Sequence, residues 1–180
     1  MALDQATIAK RYAVALFELT HDQGTDATTL SELSTIREVL VQNPDIIKAL
    51  LSLRIDETSK TQLLHMLSDG TSQVVTNLID MAYDYRRMQN LPAIIDEYQT
   101  LVNKAAGIVD AEVTTVVPLS DEQVARLTEQ LVKRYQANEV RLTQVVDEDL
   151  LGGVIIKANN QILDGSLATK LAAIRQSIIR

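Results

Sequence analysis

The sequence predicts a mainly α protein in two parts: an N-terminal six-helix bundle over residues 1–106, then a small α+β domain over residues 107–180. Three observations carry that expectation. Apolar residues recur at three- and four-residue spacing as far as Ala105, the helical period. From Gly107 the pattern turns β-branched and partly alternating, and beyond Val145 two short apolar runs read as a hairpin leading into a terminal helix. A chain of 180 residues, 46% hydrophobic, is long enough to bury a core in each of two small domains.

Asp4 can cap a first helix running to about Thr20 and ended by the polar stretch His21 to Gly24. Its apolar side chains (Ile8, Leu19, Tyr12, Leu16, Ala9, Ala13, Ala6 and Phe17, with Ala15 at the edge) cover roughly 200° of the circumference, against roughly 100° for an ordinary amphipathic helix. Asp26 precedes a second helix with Leu30, Leu33, Ile36 and Leu40, stopped by Asn43-Pro44 because proline disfavours helix in the residue before it. Ile46 to Leu51 form a short third piece, and Asp56 opens a fourth with Leu63, Leu64 and Leu67 that stops at Gly70. Thr71 or Ser72 begins the fifth, expected from about Gln73 to Asn90. Its apolar positions (Val74, Val75, Leu78, Ile79, Met81, Ala82, Tyr83, Tyr85 and Met88) again span roughly 200°. Pro92 suits the first turn of the sixth helix, with the narrower stripe Ile94, Tyr98, Leu101 and Ala105.

In the second part, Ile108 to Val117 reads as a strand ended by Pro118. Ser120 caps a helix with Val124, Leu127, Leu131 and Tyr135 on one side, and Val140, Leu142 and Val145 make a second strand. A strand, helix, strand succession favours a parallel pair with a right-handed crossover. Gly152-Gly153 lead into Val154-Ile155-Ile156, and Ile162-Leu163 return beyond a tight turn at Asn159-Asn160, where Asn tolerates positive φ. At Asp164-Gly165-Ser166, Gly165 is expected in the left-handed conformation and Ser166 as a helix cap. Leu167, Leu171, Ile174 and Ile178 then form one stripe expected to lie on the hairpin.

Charge and composition exclude several function classes. The net charge of −7 and the scatter of the basic residues argue against nucleic-acid binding, which needs clustered Lys and Arg. No stretch approaches 18 uninterrupted apolar residues, so no segment is expected to span a bilayer, and Asp4 with an early helical pattern argues against a signal or transit peptide. Without cysteine there is neither disulfide nor thiolate chemistry. No phosphate-binding or nucleophile motif is present; Gly152-Gly153 lack the Gly-Lys-Ser/Thr of a phosphate loop, and a close backbone approach explains them better. His21 and His65 lack a partner at metal-ligand spacing and read as solvated, as do the adjacent carboxylates Asp147-Glu148-Asp149. No convergent set of acids, bases or nucleophiles appears, so the expectation is binding without catalysis, metal or cofactor.

The surplus apolar width of the first and fifth helices has two readings. Either they lie side by side and leave a groove for a helix from another chain, or both are central and buried all round.

The order Asp147, Gly152-Gly153-Val154, Asp164-Gly165-Ser166 and then a Leu-rich terminal helix resembles the delta subunit of F-type ATP synthases, whose mitochondrial relative is the oligomycin-sensitivity-conferring protein. Ile8-Ala9-Lys10-Arg11-Tyr12-Ala13 with Ala15-Leu16-Phe17 is similar to that family's first helix. Asn77-Leu78-Ile79, Arg87 and Leu91-Pro92 resemble its fifth helix and the start of its sixth, and Pro118-Leu119-Ser120 its second-domain strand-to-helix junction. The pattern departs at Leu167-Ala168, where many relatives carry a basic residue and this chain waits until Lys170. The resemblance implies a non-catalytic stator subunit that links the N-terminal helix of an alpha subunit, on the catalytic head, to the b subunits of the peripheral stalk. It further implies a peripheral position on the cytoplasmic face of the cell membrane. On that expectation the groove is lined by Tyr12, Ala13, Leu16, Leu78, Met81 and Ala82, while Asp147, Gly152, Gly153, Asp164, Gly165 and Ser166 form a structural motif. The alternative is a free cytosolic adaptor or regulator that binds another amphipathic helix in the same groove.

Overall fold

The computed structural model describes residues 5–148, 150–159, 161–169 and 171. The chain divides into two compact units, Met1–Val102 and Asn103–Arg180, and is mainly α with a small sheet. Asp4, Asp149, Asn160, Lys170, Ile174 and Ile178, invoked above, lie outside the described residues.

The first unit holds α1 (Gln5–Gln23), α2 (Asp26–Gln42), α3 (Pro44–Leu51), α4 (Glu57–Ser68), α5 (Gln73–Asp84), a short 3₁₀ turn (Met88–Asn90) and most of α6 (Leu91–Ala106). α1 passes Thr20 and runs to Gln23 because the stop signal is Gly24 rather than the polar stretch itself. Gly24 has φ +65°, its N–H donates to His21 O at 3.1 Å, and the Thr25 N–H donates to Thr20 O at 2.9 Å, the paired bonds of a glycine-terminated helix end. Asp56 caps α4 by accepting from the Ser59 N–H at 3.0 Å, and Pro44 begins α3, where its missing N–H costs nothing. Ser72 precedes α5 without capping it through its side chain. Its N–H and hydroxyl instead both donate to Glu32 Oε2, at 2.9 and 2.7 Å, tying the start of α5 to α2.

α5 is shorter than its apolar pattern predicts. It stops at Asp84 because Arg86 adopts a left-handed φ of 55°. The Arg86 N–H then reaches Tyr83 O at 2.9 Å and the Arg87 N–H reaches Ala82 O, the same helix-ending pair of bonds as at α1, here built without glycine. The core of the unit gathers Leu33, Ile36 and Leu40 from α2, Val75 and Ile79 from α5, and Leu91, Ile94, Ile95 and Tyr98 from α6. Tyr98 is fully buried and its hydroxyl is 2.9 Å from Thr20 Oγ1, so the one polar atom that this ring brings inside is satisfied.

In the second unit, β1 (Ile108–Thr115), β2 (Glu139–Val146), β3 (Val154–Ala158) and β4 (Gln161–Asp164) form one sheet in the order β2-β1-β3-β4. β1 and β2 are parallel, as the strand, helix, strand succession favours, and β1–β3 and β3–β4 are antiparallel. β1 ends at Thr115, before Val117, where the Thr115 hydroxyl donates to Val117 O at 2.8 Å. α7 (Asp121–Tyr135) begins with a full capping box: Ser120 Oγ accepts from the Gln123 N–H, and Gln123 Oε1 accepts from the Ser120 N–H. Alternate residues Val109, Ala111 and Val113 of β1 share a core with Leu131 of α7, Val140 and Ile156.

Beyond β4 the chain turns back into helix at residues 167–169. Ser166 caps it as expected, Oγ accepting from the Thr169 N–H at 3.3 Å. Gly165 does not take the left-handed conformation expected of it; Gly152 and Gly153 do, at φ +135° and +91°. The reason is close approach. Gly165 N–H donates to Val154 O and Leu167 N–H to Gly152 O, both at 2.9 Å, so the two backbone segments touch, and a Cβ on Gly153 would lie 2.5 Å from Gly165 O. Leu167 and Leu171, expected on the hairpin, are 47% and 59% exposed, and burial at this corner falls on Ser166.

Two outcomes test this account. Gly153→Ala meets both the backbone of Gly165 and a forbidden φ, so it should destabilise the second unit by about 3 kcal/mol or more in urea unfolding, whereas Gly24→Ala, with open space around it, should cost only about 1 kcal/mol. The Asp164 carboxyl is held below its ordinary value of 3.8 by the Thr169 hydroxyl first, then by the Ser166 N–H and hydroxyl. A depressed carboxyl stabilises the fold above its unfolded pKa, near 4, and loses that contribution as pH falls through the lower folded value. Stability should therefore drop between about pH 5 and pH 2 by less in Asp164→Asn than in the wild type, read by urea midpoints at each pH.

Candidate functional site

The wide apolar faces of α1 and α5 resolve into two registers each. On α1, Ala9, Ala13, Leu16 and Thr20 are buried, while Ile8, Tyr12, Ala15 and Leu19 line an open cavity. Both sets step 0, +4, +7, +11, one residue apart, so they are adjacent stripes on one helix. α5 repeats the device: Val75, Leu78, Ile79 and Ala82 are buried, and Val74, Leu78, Met81 and Tyr85 line the same cavity. The result is an apolar groove of about 620 Å³ with α1 as one wall and α5 as the other. Leu19, Met81 and Tyr85 on its walls are 48%, 45% and 65% exposed, a large apolar exposure for a helical protein to leave unpartnered.

Of the residues expected to line a groove, Tyr12, Leu16, Leu78 and Met81 do. Ala13 and Ala82 do not: both are completely buried, in the inner register, where a small side chain lets the neighbouring helices approach. Ile8, Ala15, Leu19, Val74, Asn77, Tyr85 and two arginines, Arg11 and Arg87, also line the cavity and were not anticipated from spacing. The signal that could have found the apolar members was the second register itself, offset by one from the first.

Arg87 owes its place to the end of α5. The left-handed turn at Arg86 sends the next residue back toward α1, where Arg87 Nη1 donates to the Tyr12 hydroxyl at 2.8 Å. The guanidinium carbon lies 5.3 Å from the Tyr12 ring centroid and 5.7 Å from that of Tyr85, within the range of cation–π attraction.

The second unit brings Gly152, Gly153, Asp164, Gly165 and Ser166 together at the corner described above. Asp147 instead follows the end of β2, its N–H donating to Thr115 O at 2.9 Å. Among the described residues no group of His, Asp and Glu is arranged to hold a metal ion. His21 is exposed, but it is paired: its Nδ1 lies 2.8 Å from Asp26 Oδ2 and its ring stacks on Phe17. No described helix is long and apolar enough to cross a membrane.

The family model for the ATP synthase delta (OSCP) subunit matches residues 8–178. The chain belongs to the ATP synthase delta subunit family. It is 42% identical to the ATP synthase subunit delta of Lactiplantibacillus plantarum over 99% of both chains, and 40% identical to that of Limosilactobacillus reuteri over the whole of both. Its fold is similar to a chain in the mitochondrial ATP synthase hexamer of Toxoplasma gondii, with a TM-score of 0.77 over 97% of this chain and 98% of that one at 19% identity. A delta-family chain is a non-catalytic subunit of ATP synthase that serves in its stator, associated peripherally with a membrane-bound complex. For such a subunit the chemistry to explain is adhesion, and the groove is where an unsatisfied surface is found.

Proposed function

We propose that the groove between α1 and α5 holds the N-terminal helix of the synthase's alpha subunit, and that the second unit engages the end of the peripheral stalk formed by the b subunits, on the cytoplasmic face of the membrane. The observation that carries the first part is the second apolar register on α1 and α5, which the chain's own described residues leave open. An amphipathic helix laid between two helices fills such a channel with its i, i+3, i+4 and i+7 side chains. For the stalk, the second unit offers exposed Val117, Leu151 and Ile162, apolar surface suited to an interaction site.

A stator must stay attached under torque, because a head that turned with the rotor would uncouple proton flow from the catalytic cycle. Gripping head and stalk through two separate units makes the second contact effectively intramolecular, so detachment is slow without one very large interface.

Met81 tests the groove better than the two alanines do. An aspartate at Ala13 or Ala82 would be buried without a partner and would unfold the bundle. Met81→Asp sits on a half-exposed wall, so helicity by circular dichroism should be unchanged while binding of the alpha-subunit N-terminal peptide, by calorimetry, weakens on the order of thirtyfold or more. Wild-type affinity in that variant would remove the peptide from the groove.

A further inference from the structure

The groove is apolar except for Asn77 on the α5 wall, the Tyr12 and Tyr85 hydroxyls, and two arginines. Arg11 and Arg87 line it and no Asp or Glu does, in a chain of net charge −7. Outside the groove, Arg37, Lys48, Lys60, Arg126, Arg141 and Lys157 each lie within ion-pair distance of a carboxylate, whereas among the described residues Lys10, Arg54, Arg86, Lys104, Lys133 and Arg134 do not. Among the described residues Arg11 and Arg87 have no such partner; Arg87 donates only to the neutral Tyr12 hydroxyl. Both charges also sit toward one end. The α1 wall runs from Ile8 to Leu19, and Arg11 and the Tyr12 that holds Arg87 belong to its N-terminal half.

We infer that the helix occupying this groove carries carboxylate side chains beside its apolar stripe at the end that meets Arg11 and Arg87, and that this pairing fixes the direction in which it lies. The inference rests on the reading above that the groove takes a helix. A purely apolar guest would strip water from two guanidiniums and return nothing, which is strongly unfavourable. A carboxylate supplies the bidentate partner that the planar guanidinium fork is shaped for. Arg87 is prepared for this role, because the Tyr12 hydroxyl and the two aromatic rings hold it in place before any partner arrives. An arginine already ordered loses less side-chain entropy on pairing. Apolar filling alone would accept a helix in either direction; opposite charge at one end makes the reversed pose leave both guanidiniums unpaired, so that pose is disfavoured. The C-terminal end of a guest helix, where its own dipole is negative, would add to the same preference.

The test uses the full chain, calorimetry and two synthetic peptides: the N-terminal helix of the alpha subunit, and the same peptide with every Asp and Glu replaced by Asn and Gln. The amide peptide should bind on the order of tenfold more weakly to the wild type, and Arg87→Gln should lose about as much with the native peptide and little more with the amide one. Arg11→Gln, at an exposed position with no described side-chain partner, gives a second variant that leaves the fold alone and should also weaken the native peptide. Raising sodium chloride from about 0.05 to 0.5 M should weaken the native pair and barely affect Arg87→Gln with the amide peptide. If the amide peptide binds as tightly as the native one, the inference is wrong, whatever Arg87→Gln does, since the arginine would then act only by shaping the groove. Should that happen while Met81→Asp still abolishes binding, the groove reading stands alone; if Met81→Asp is also silent, both fall.

Discussion

α1 and α5 each carry two apolar registers, and the bundle can bury only one of them. That constraint governs the first unit. Burial of the inner registers is complete, with Ala9, Ala13, Val75 and Ile79 essentially inaccessible, so neither helix is free to rotate and bring its outer register inside. Turning α1 by one residue would expose what now holds α2 and the turn before α6 in place. The outer residues therefore stay half in water at a cost on the order of 1 kcal/mol for each large side chain. A fold bears such a cost where a surface is meant to be covered by something else.

The end of α5 links this packing to the polar part of the groove. A left-handed arginine costs about 1–2 kcal/mol relative to glycine, yet Arg86 adopts that conformation and closes the helix with two backbone hydrogen bonds. Had α5 continued through Met88 as its apolar pattern suggests, Met88 would not reach the core, where it is fully buried, and Arg87 would not lie over Tyr12. One backbone departure thus serves both core and groove: it drops Met88 inward and returns Arg87 to the groove wall.

Much of this was legible in the chain before any coordinates. The helical period, the caps at Asp56 and Ser120, the parallel β1–β2 pair and the surplus width of α1 and α5 all follow from local pattern, and each is found in the fold. What periodicity cannot decide is which edge of a wide stripe faces inward. That depends on where α2 and α6 come to rest, a tertiary fact, and so Ala13 and Ala82 went to the core while Ala15 and Leu19 went to the groove. The break at Arg86 was hidden for a different reason, since the usual marker of a left-handed helix end is Gly or Asn and here there is neither. Glycine misled in the opposite way at Gly165, where the need was for backbone contact while the positive φ angles fell at Gly152 and Gly153.

A groove of this kind suits a part that must hold without turning over. Its walls stand on a close-packed floor and its arginine is held by a tyrosine hydroxyl and two rings, so a guest meets a surface that has little left to organise, and more of the contact energy appears as affinity. Apolar filling of such a groove would be insensitive to salt, while opposite charge at one end would add direction and a salt-dependent share of the affinity. Separating the two roles has a mechanical consequence. If a helix fills the groove as proposed, a load on it would be met by packed helices and not only by the few hydrogen bonds that an ion pair offers. A single charged contact would slip at high ionic strength, and a single apolar one would tolerate a helix lying the wrong way round. Under the proposed function, the arrangement on α1 and α5 would avoid both failures with side chains from two helices and one left-handed residue between them.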